Sequence, residues 1–285
     1  MPIRGPIDLH THSSVSDGTE TPGALVRSAI AAGLGTIALT DHDSTAGWAD
    51  AFEAASGTGL TVIPGMELST NYGPASVHML AYLFDPANPA ILEETARIRD
   101  GRLHRAERIV ERISRDYGIT WPDVLAQSVD GGTIGRPHIA DALVAHGDVA
   151  DRSAAFQTIL HWQSGYYEKY YAPSPLAGVR MIVAAGGVPV LAHPATHGRY
   201  RVIEDRAIAE LVDAGLFGLE IHHRDNTEDG KIRLYELAAK FGLQVTGSSD
   251  YHGEGKPNRL GENTTEPAVL EKLIAAGTGS TPFRG

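Results

Sequence analysis

Near its start the chain alternates Ile7, Leu9 and Thr11 with Asp8, His10 and His12. Residues two apart on a strand share a face, so this pattern predicts a strand from which His10 and His12 project together. Thr21-Pro22 then reads as a helix start, Leu25, Val26, Ala29 and Ile30 as its apolar stripe, and Gly33 as its stop. Thr36 to Thr40 predicts a buried strand that runs into Asp41-His42-Asp43. A helix is expected over about 45–56, then a strand from Leu60 to Pro64 delivering Gly65-Met66-Glu67, then an apolar run from Val77 to Phe84 carrying His78.

The same unit returns in the last third. Val188 to Leu191 leads to Ala192-His193-Pro194, Gly218 to Ile221 to His222-His223, and Leu243 to Thr246 to Gly247-Ser248-Ser249-Asp250-Tyr251-His252. A last helix is expected over about 267–276. Helix, glycine, short apolar strand and ligand-type residue recur in that order, which predicts parallel βαβ units. About seven such strands make a closed but irregular barrel, with the polar residues at the carboxyl ends where barrels build their sites. The middle breaks this rhythm. Arg97 to Arg115, His138 to His146 and Ser153 to His161 read as helices, and no strand is evident among them. Residues 1–88 and 173–285 are therefore expected to form a discontinuous barrel, and 89–172 an all-helical insertion that either shapes the pocket or serves as a structural lobe or dimer contact.

Composition narrows the chemistry. There is no cysteine, so disulfides and thiolate ligands are excluded and any metal must take nitrogen and oxygen donors. The net charge of -11 argues against a footprint for long duplex nucleic acid but admits a small anionic substrate at a bound cation. No long apolar run suggests a membrane span, and the expected setting is a soluble cytoplasmic protein. Nothing in the pattern specifies a partner subunit.

His10, His12, Asp17, His42, Glu67, His78, His193, Asp250 and His252 gather at the predicted strand ends. One such residue is unremarkable. Nine converging on one rim need a common cause, because each buried alone would be costly. A multinuclear metal site is that cause.

Asp-Leu-His-Thr-His-Ser, Thr-Asp-His-Asp, Gly-Met-Glu, Ala-His-Pro and Gly-Ser-Ser-Asp-Tyr-His resemble the successive motifs of the PHP (polymerase and histidinol phosphatase) superfamily. With the Gly135-Arg136-Pro137-His138 opening of the insertion, the chain looks most like the branch of 3',5'-nucleoside bisphosphate phosphatases. The resemblance implies an α/β fold, a distorted (β/α)7 TIM-like barrel, with two or three divalent ions, Mn²⁺, Zn²⁺ or Fe²⁺, and Mn²⁺ favoured. It implies one metal on His10, His12, Glu67 and Asp250, a second reached by bridging Glu67 and held by His78 and His193, and a third on Asp17, His42 and His252.

The activity so implied is hydrolysis of a small nucleotide's phosphomonoester by a metal-activated hydroxide, foremost the 3' phosphate of adenosine 3',5'-bisphosphate. No further catalytic side chain and no leaving-group acid is assigned. Alternatives are a 5'-to-3' exonuclease on short RNA, a histidinol-phosphate-type phosphatase, a metal-dependent amidohydrolase, which also uses H-x-H on a first strand, and a metal-stabilised scaffold. Arg136 and His138, at a helix start, are candidates to grip a second phosphate. Lys169, within a tyrosine-rich run, is a third substrate candidate. Arg199, Arg224 and Asn226 are weaker ones, and one of His222 and His223 is expected to line the pocket. Gly253-Glu254-Gly255-Lys256 reads as a rim loop, and His104, His146 and His161 as surface residues.

Overall fold

A computed structural model describes residues 5–196 and 203–285. The first half-barrel alternates β1 (Ile7–Thr11), α1 (Pro22–Ala31), β2 (Thr36–Leu39), α2 (Trp48–Ala55) and β3 (Thr61–Tyr72). β4 (Ala75–Tyr82) follows β3 without a helix. The later part runs through α7 (Pro175–Ala184), β5 (Val188–Leu191), α8 (Asp205–Asp213), β6 (Gly218–His222), α9 (Glu228–Phe241), β7 (Gln244–Gly247), α10 (Pro267–Ala276) and a short β8 (Phe283–Arg284). β1 to β7 lie side by side in chain order, and β8 pairs with the start of β3. The His12 amide donates to the Tyr251 carbonyl, 2.9 Å, and a bridge joins Thr11 to Tyr251. The sheet thus curls until its two edges meet, giving the distorted barrel.

The pairing corrects one expectation. β3 does not end at Pro64 but continues to Tyr72, and β4 returns antiparallel to it, with Glu67 opposite Leu80 and Ser69 opposite His78. The cause is the two-residue turn Gly73-Pro74. Gly73 takes φ 58°, the positive value that such hairpin turns require at their first central position. Glu67 is consequently mid-strand, and His78 lies in the first half of a reversed strand. Both still reach the rim formed by the carboxyl ends of the parallel strands.

Strand side chains pack in two sets. Ile37, Leu39, Val62, Met66 and Leu68 join Leu25, Val26 and Trp48 of the flanking helices. Ile7, Leu9, Ile63, Leu80, Tyr82 and Val190 join Leu270 and Leu273 of α10.

The middle segment holds α3 (Pro89–Ile113), α4 (Trp121–Leu125), α5 (Arg136–His146) and α6 (Arg152–Gln157), with no strand among them. α3 begins earlier than the periodicity suggests, because Asn88 accepts hydrogen bonds from the Ala90 and Ile91 amides and Pro89 occupies the first turn. These helices enclose their own apolar core of Ile109, Ile113, Val124, Ile139, Leu143 and Leu160.

Candidate metal centre

Glu67 is the hub of the rim. It is buried, and its Oε2 lies 3.3 Å from His10 Nε2, 3.2 Å from His12 Nε2 and 3.2 Å from His42 Nδ1. Its Oε1 lies 2.7 Å from His78 Nδ1 and 3.1 Å from His193 Nε2. Asp250 Oδ1 is 3.4 and 3.2 Å from the same His10 and His12 nitrogens, and the two Nε2 atoms are 3.0 Å apart. Asp17 joins from the loop after β1, with Oδ1 3.2 Å from His252 Nε2 and Oδ2 3.7 Å from His42 Nε2. All nine strand-end residues expected from the sequence thus meet in one cluster, buried except for the partly exposed His78 and His193.

Their grouping differs in part from the expected one. His10, His12, Glu67 and Asp250 converge, as do His42, Glu67 and His78, while Asp17 and His252 converge with His12, and Asp17 also faces His42 at 3.7 Å. The reason is His12, whose Nε2 faces Glu67 and whose Nδ1 faces Asp17 at 3.6 Å. A neutral imidazole has one lone pair for an ion, so His12 serves one group and donates toward the other.

The donor set fits divalent cations. His42 Nδ1, His252 Nε2 and Asp250 Oδ1 are buried without a hydrogen-bond partner, which a coordinating ion would remedy. His193 and Asp250 are held at φ 28° and 55°, values that side-chain-bearing residues rarely adopt and that collect at functional sites.

Charge couples the members of the cluster. Burial raises the Glu67 carboxyl, but His42, His78 and His10 hold it well below the usual range. Burial likewise opposes a charged His12, yet Asp250, Glu67 and Asp17 push it up to about 9. His10 is also raised well above its ordinary value, against burial, by Glu220, Glu67 and Asp250. Protons and cations therefore compete for the same atoms. A histidine raised from 6.5 to about 9 stabilises the fold fully below 6.5, and that stabilisation is lost as pH rises through 9. Metal must displace the same protons, so its affinity rises over this window. The chelator-treated protein should melt lower at pH 9 than at pH 6.5, and the Tm gap to the Mn²⁺-loaded protein should widen. A gap that narrows with pH would contradict this balance.

The sequence did not reveal two residues around the cluster. Glu220, fully buried on β6, accepts from His10 Nδ1 at 3.0 Å and from the His193 amide at 2.8 Å. It fixes the His10 tautomer that leaves Nε2 for an ion. Its only signal is a lone acid in Gly-Leu-Glu-Ile. Glu220→Gln should weaken Mn²⁺ binding by roughly ten- to a hundredfold with little change in Tm. Calorimetric titration checks this, and unchanged affinity would reduce Glu220 to packing. Lys256, expected only in a rim loop, reaches Asp250 Oδ2 at 2.7 Å.

The remaining candidates separate clearly. His223 is the inward member of its pair. Its Nδ1 accepts from the Asp225 amide, 3.1 Å, so its proton sits on Nε2, 3.5 Å from Asp250 Oδ2. His222 is exposed and meets the Tyr235 hydroxyl. The Thr133 hydroxyl donates to the His42 carbonyl, 2.8 Å, bringing the start of α5 to the rim. There His138 Nδ1 accepts from the Gly135 amide, 3.1 Å, and the Arg136 guanidinium lies over Phe156 and Tyr167. Lys169 is exposed. Asn226 joins the Ala195 amide to the Glu220 and Ile221 carbonyls, and Arg224 binds the Pro257 carbonyl, so both are structural ties. Arg199 lies outside the described residues.

A model of the PHP domain matches residues 8–118. A 3',5'-nucleoside bisphosphate phosphatase from Chromobacterium violaceum is 33% identical, over 94% of each chain. A 5'-3' exoribonuclease from Haemophilus influenzae is 32% identical, over 90% of this chain and 93% of its own. A candidate metal-dependent phosphoesterase from Bifidobacterium adolescentis is 44% identical and superposes with a TM-score of 0.93 over 98% of each chain. Among the described residues no helix is long and apolar enough to cross a membrane.

Proposed function

This chain belongs to the PHP family, is a metal-dependent hydrolase of phosphoesters, and on that premise we propose that it removes the 3' phosphate from nucleoside 3',5'-bisphosphates. The convergence of imidazoles and carboxylates on Glu67 carries the reading. His10, His12, Glu67 and Asp250 would hold one cation, His78 and His193 with Glu67 a second, and Asp17, His252 and His42 a third. When bound, such cations polarise phosphoryl oxygens and acidify water. Mn²⁺ is our working choice, and the nitrogen and oxygen donors admit Zn²⁺ and Fe²⁺ as well.

The protein's own groups then position the ester. Glu220 keeps the His10 ring aligned. His223 offers its Nε2–H, and Lys256 its ammonium, to a phosphoryl oxygen beside Asp250. Arg136 and His138 are assigned to the phosphate that does not react, where a guanidinium fork and a helix start both suit an anion. The similarity to the Chromobacterium violaceum phosphatase supports this substrate over other phosphomonoesters. Exonucleolytic cleavage of short RNA is the second reading, supported by the Haemophilus influenzae relative. A nucleotide substrate and a chain free of cysteine go with a cytoplasmic setting.

The test is a panel of phosphate esters, short oligoribonucleotides, lactones and amides assayed with Mn²⁺. Adenosine 3',5'-bisphosphate should be the best substrate and give AMP. Phosphate release from none of the esters, or turnover of amides alone, would sink the reading.

A further inference from the structure

The helical insertion grips the rim at the loops that carry Asp17 and His42. The Thr133 amide donates to the Val15 carbonyl, 2.8 Å, and the Thr133 hydroxyl to the His42 carbonyl, 2.8 Å. Arg99 Nη1, from α3, donates to the Asp43 carbonyl at 2.6 Å. Arg152, the first residue of α6, donates through Nη1 to the Asp17 carbonyl at 2.7 Å. Four donors of the insertion thus close on the backbone at and beside two ligand-type side chains.

Arg152 is set more firmly than a surface tie would be. Its Nε and Nη2 make a two-point contact with the Asp141 carboxylate of α5, and the two side chains are only 12% and 21% exposed. That contact occupies the arginine fork, so the remaining donor meets a carbonyl. The Asp17 carboxylate stays turned to His252 Nε2 at 3.2 Å and His42 Nε2 at 3.7 Å. Asp141 also neutralises the guanidinium, which would otherwise compete with a cation for Asp17. On its other side Arg152 meets the 253–256 loop. A Cβ at Gly255 would lie 2.1 Å from Arg152 Nη1 and 2.7 Å from its Cζ, so the clamped arginine fits there only against glycine. The same loop is joined to the Asp17 side, since the Thr19 amide donates to the His252 carbonyl, 3.1 Å, and the Glu254 amide to the Thr19 hydroxyl, 2.9 Å. Arg152 is therefore wedged between the two loops that supply Asp17 and His252.

We infer that Arg152, aligned by Asp141, is a positioning residue for the cation assigned to Asp17, His252 and His42, so that the insertion completes that site as well as standing over the barrel. The inference rests on the three-cation part of the proposed function and not on its substrate. Holding the Asp17 carbonyl fixes the backbone from which its carboxylate projects, and metal ligands lose affinity when the groups that orient them are removed. The effect is selective, because His10, Glu67 and His78 stand on β1, β3 and β4 and are held by the sheet.

The test uses Arg152→Met and the double variant Arg152→Met with Asp141→Leu, the second leaving no orphaned carboxylate. Equilibrium dialysis of the stripped full chain against graded Mn²⁺ counts bound equivalents, with Tm and bisphosphate kinetics measured alongside. The wild type should fill three equivalents. In both variants two should fill as before, and the last should need roughly ten- to a hundredfold more Mn²⁺. The kcat should fall at low Mn²⁺ and recover at high Mn²⁺, which a lost substrate contact would not do. Arg152→Lys should fall between, having charge without the fork. Unchanged filling of all equivalents in the double variant, or a wild type saturated by two, overturns the inference. So does equal weakening of every equivalent with a lower Tm, which would make Arg152 a structural tie alone. Selective loss of the last equivalent in a chain that hydrolyses no bisphosphate keeps the positioning role and removes the function. Bisphosphate hydrolysis with Arg152-independent metal binding does the reverse.

Discussion

Glu67→Gln is expected to lower kcat/KM by about a thousandfold or more while leaving the protein folded. The substitution preserves shape, so the β3–β4 hairpin and its packing persist. It changes what the site's centre offers. Five imidazoles lie within 3.3 Å of the Glu67 carboxylate oxygens, and each group of converging donors that includes His78 or His10 also includes Glu67. An amide is a poor bridging ligand, and its N–H₂ would face nitrogens that need an acceptor or an ion. Cation chemistry contributes several kcal/mol to such reactions, and each 1.36 kcal/mol is tenfold in rate. The kinetic measurement should be paired with metal content and a thermal melt. A variant with normal metal content and a rate within threefold of wild type would remove Glu67 from the centre.

Arg136→Ala is expected to erase most of the preference for a bisphosphate over a nucleotide with a 3' phosphate alone. Binding energy at the remote phosphate helps position the reacting one. A charge-assisted contact to phosphate contributes about 1.5–3 kcal/mol, so the discrimination lost in kcat/KM should be roughly ten- to a hundredfold. The variant also loses a hydrogen bond to the Leu160 carbonyl and stacking on Phe156, and the comparison of two substrates separates that cost from recognition. Equal loss on both would assign Arg136 to the reacting phosphate or to folding.

How much the sequence discloses depends on how local the physics is. His10 and His12 are legible because two residues on one strand share a face by geometry alone, and their Nε2 atoms do meet at 3.0 Å. The βα units of the barrel are legible through their capping residues and glycine stops. The β3–β4 hairpin is not, although Gly73-Pro74 signals a turn, because the surrounding rhythm favours a parallel strand with a crossover. Glu220 is hidden because a carboxylate on a short strand reads the same whether it faces solvent or a histidine 210 positions away. Arg102 and Arg105 are hidden for a similar reason. In a helix rich in arginine and glutamate they read as a solvated face, and only packing of α3 against Asp43, Tyr167 and Tyr170 takes them out of water. The backbone strain at His193 and Asp250 has no sequence signal, since neither is a residue that favours positive φ as glycine does.

The most direct test is a metal titration of the stripped wild-type chain, with bound Mn²⁺ and phosphate release from adenosine 3',5'-bisphosphate measured on the same samples. The stripped protein should be silent, activity should climb until at least two equivalents are bound, and the products should be AMP and inorganic phosphate. Full activity in the stripped protein, or saturation with metal and no phosphate released, would contradict the metal-dependent phosphatase.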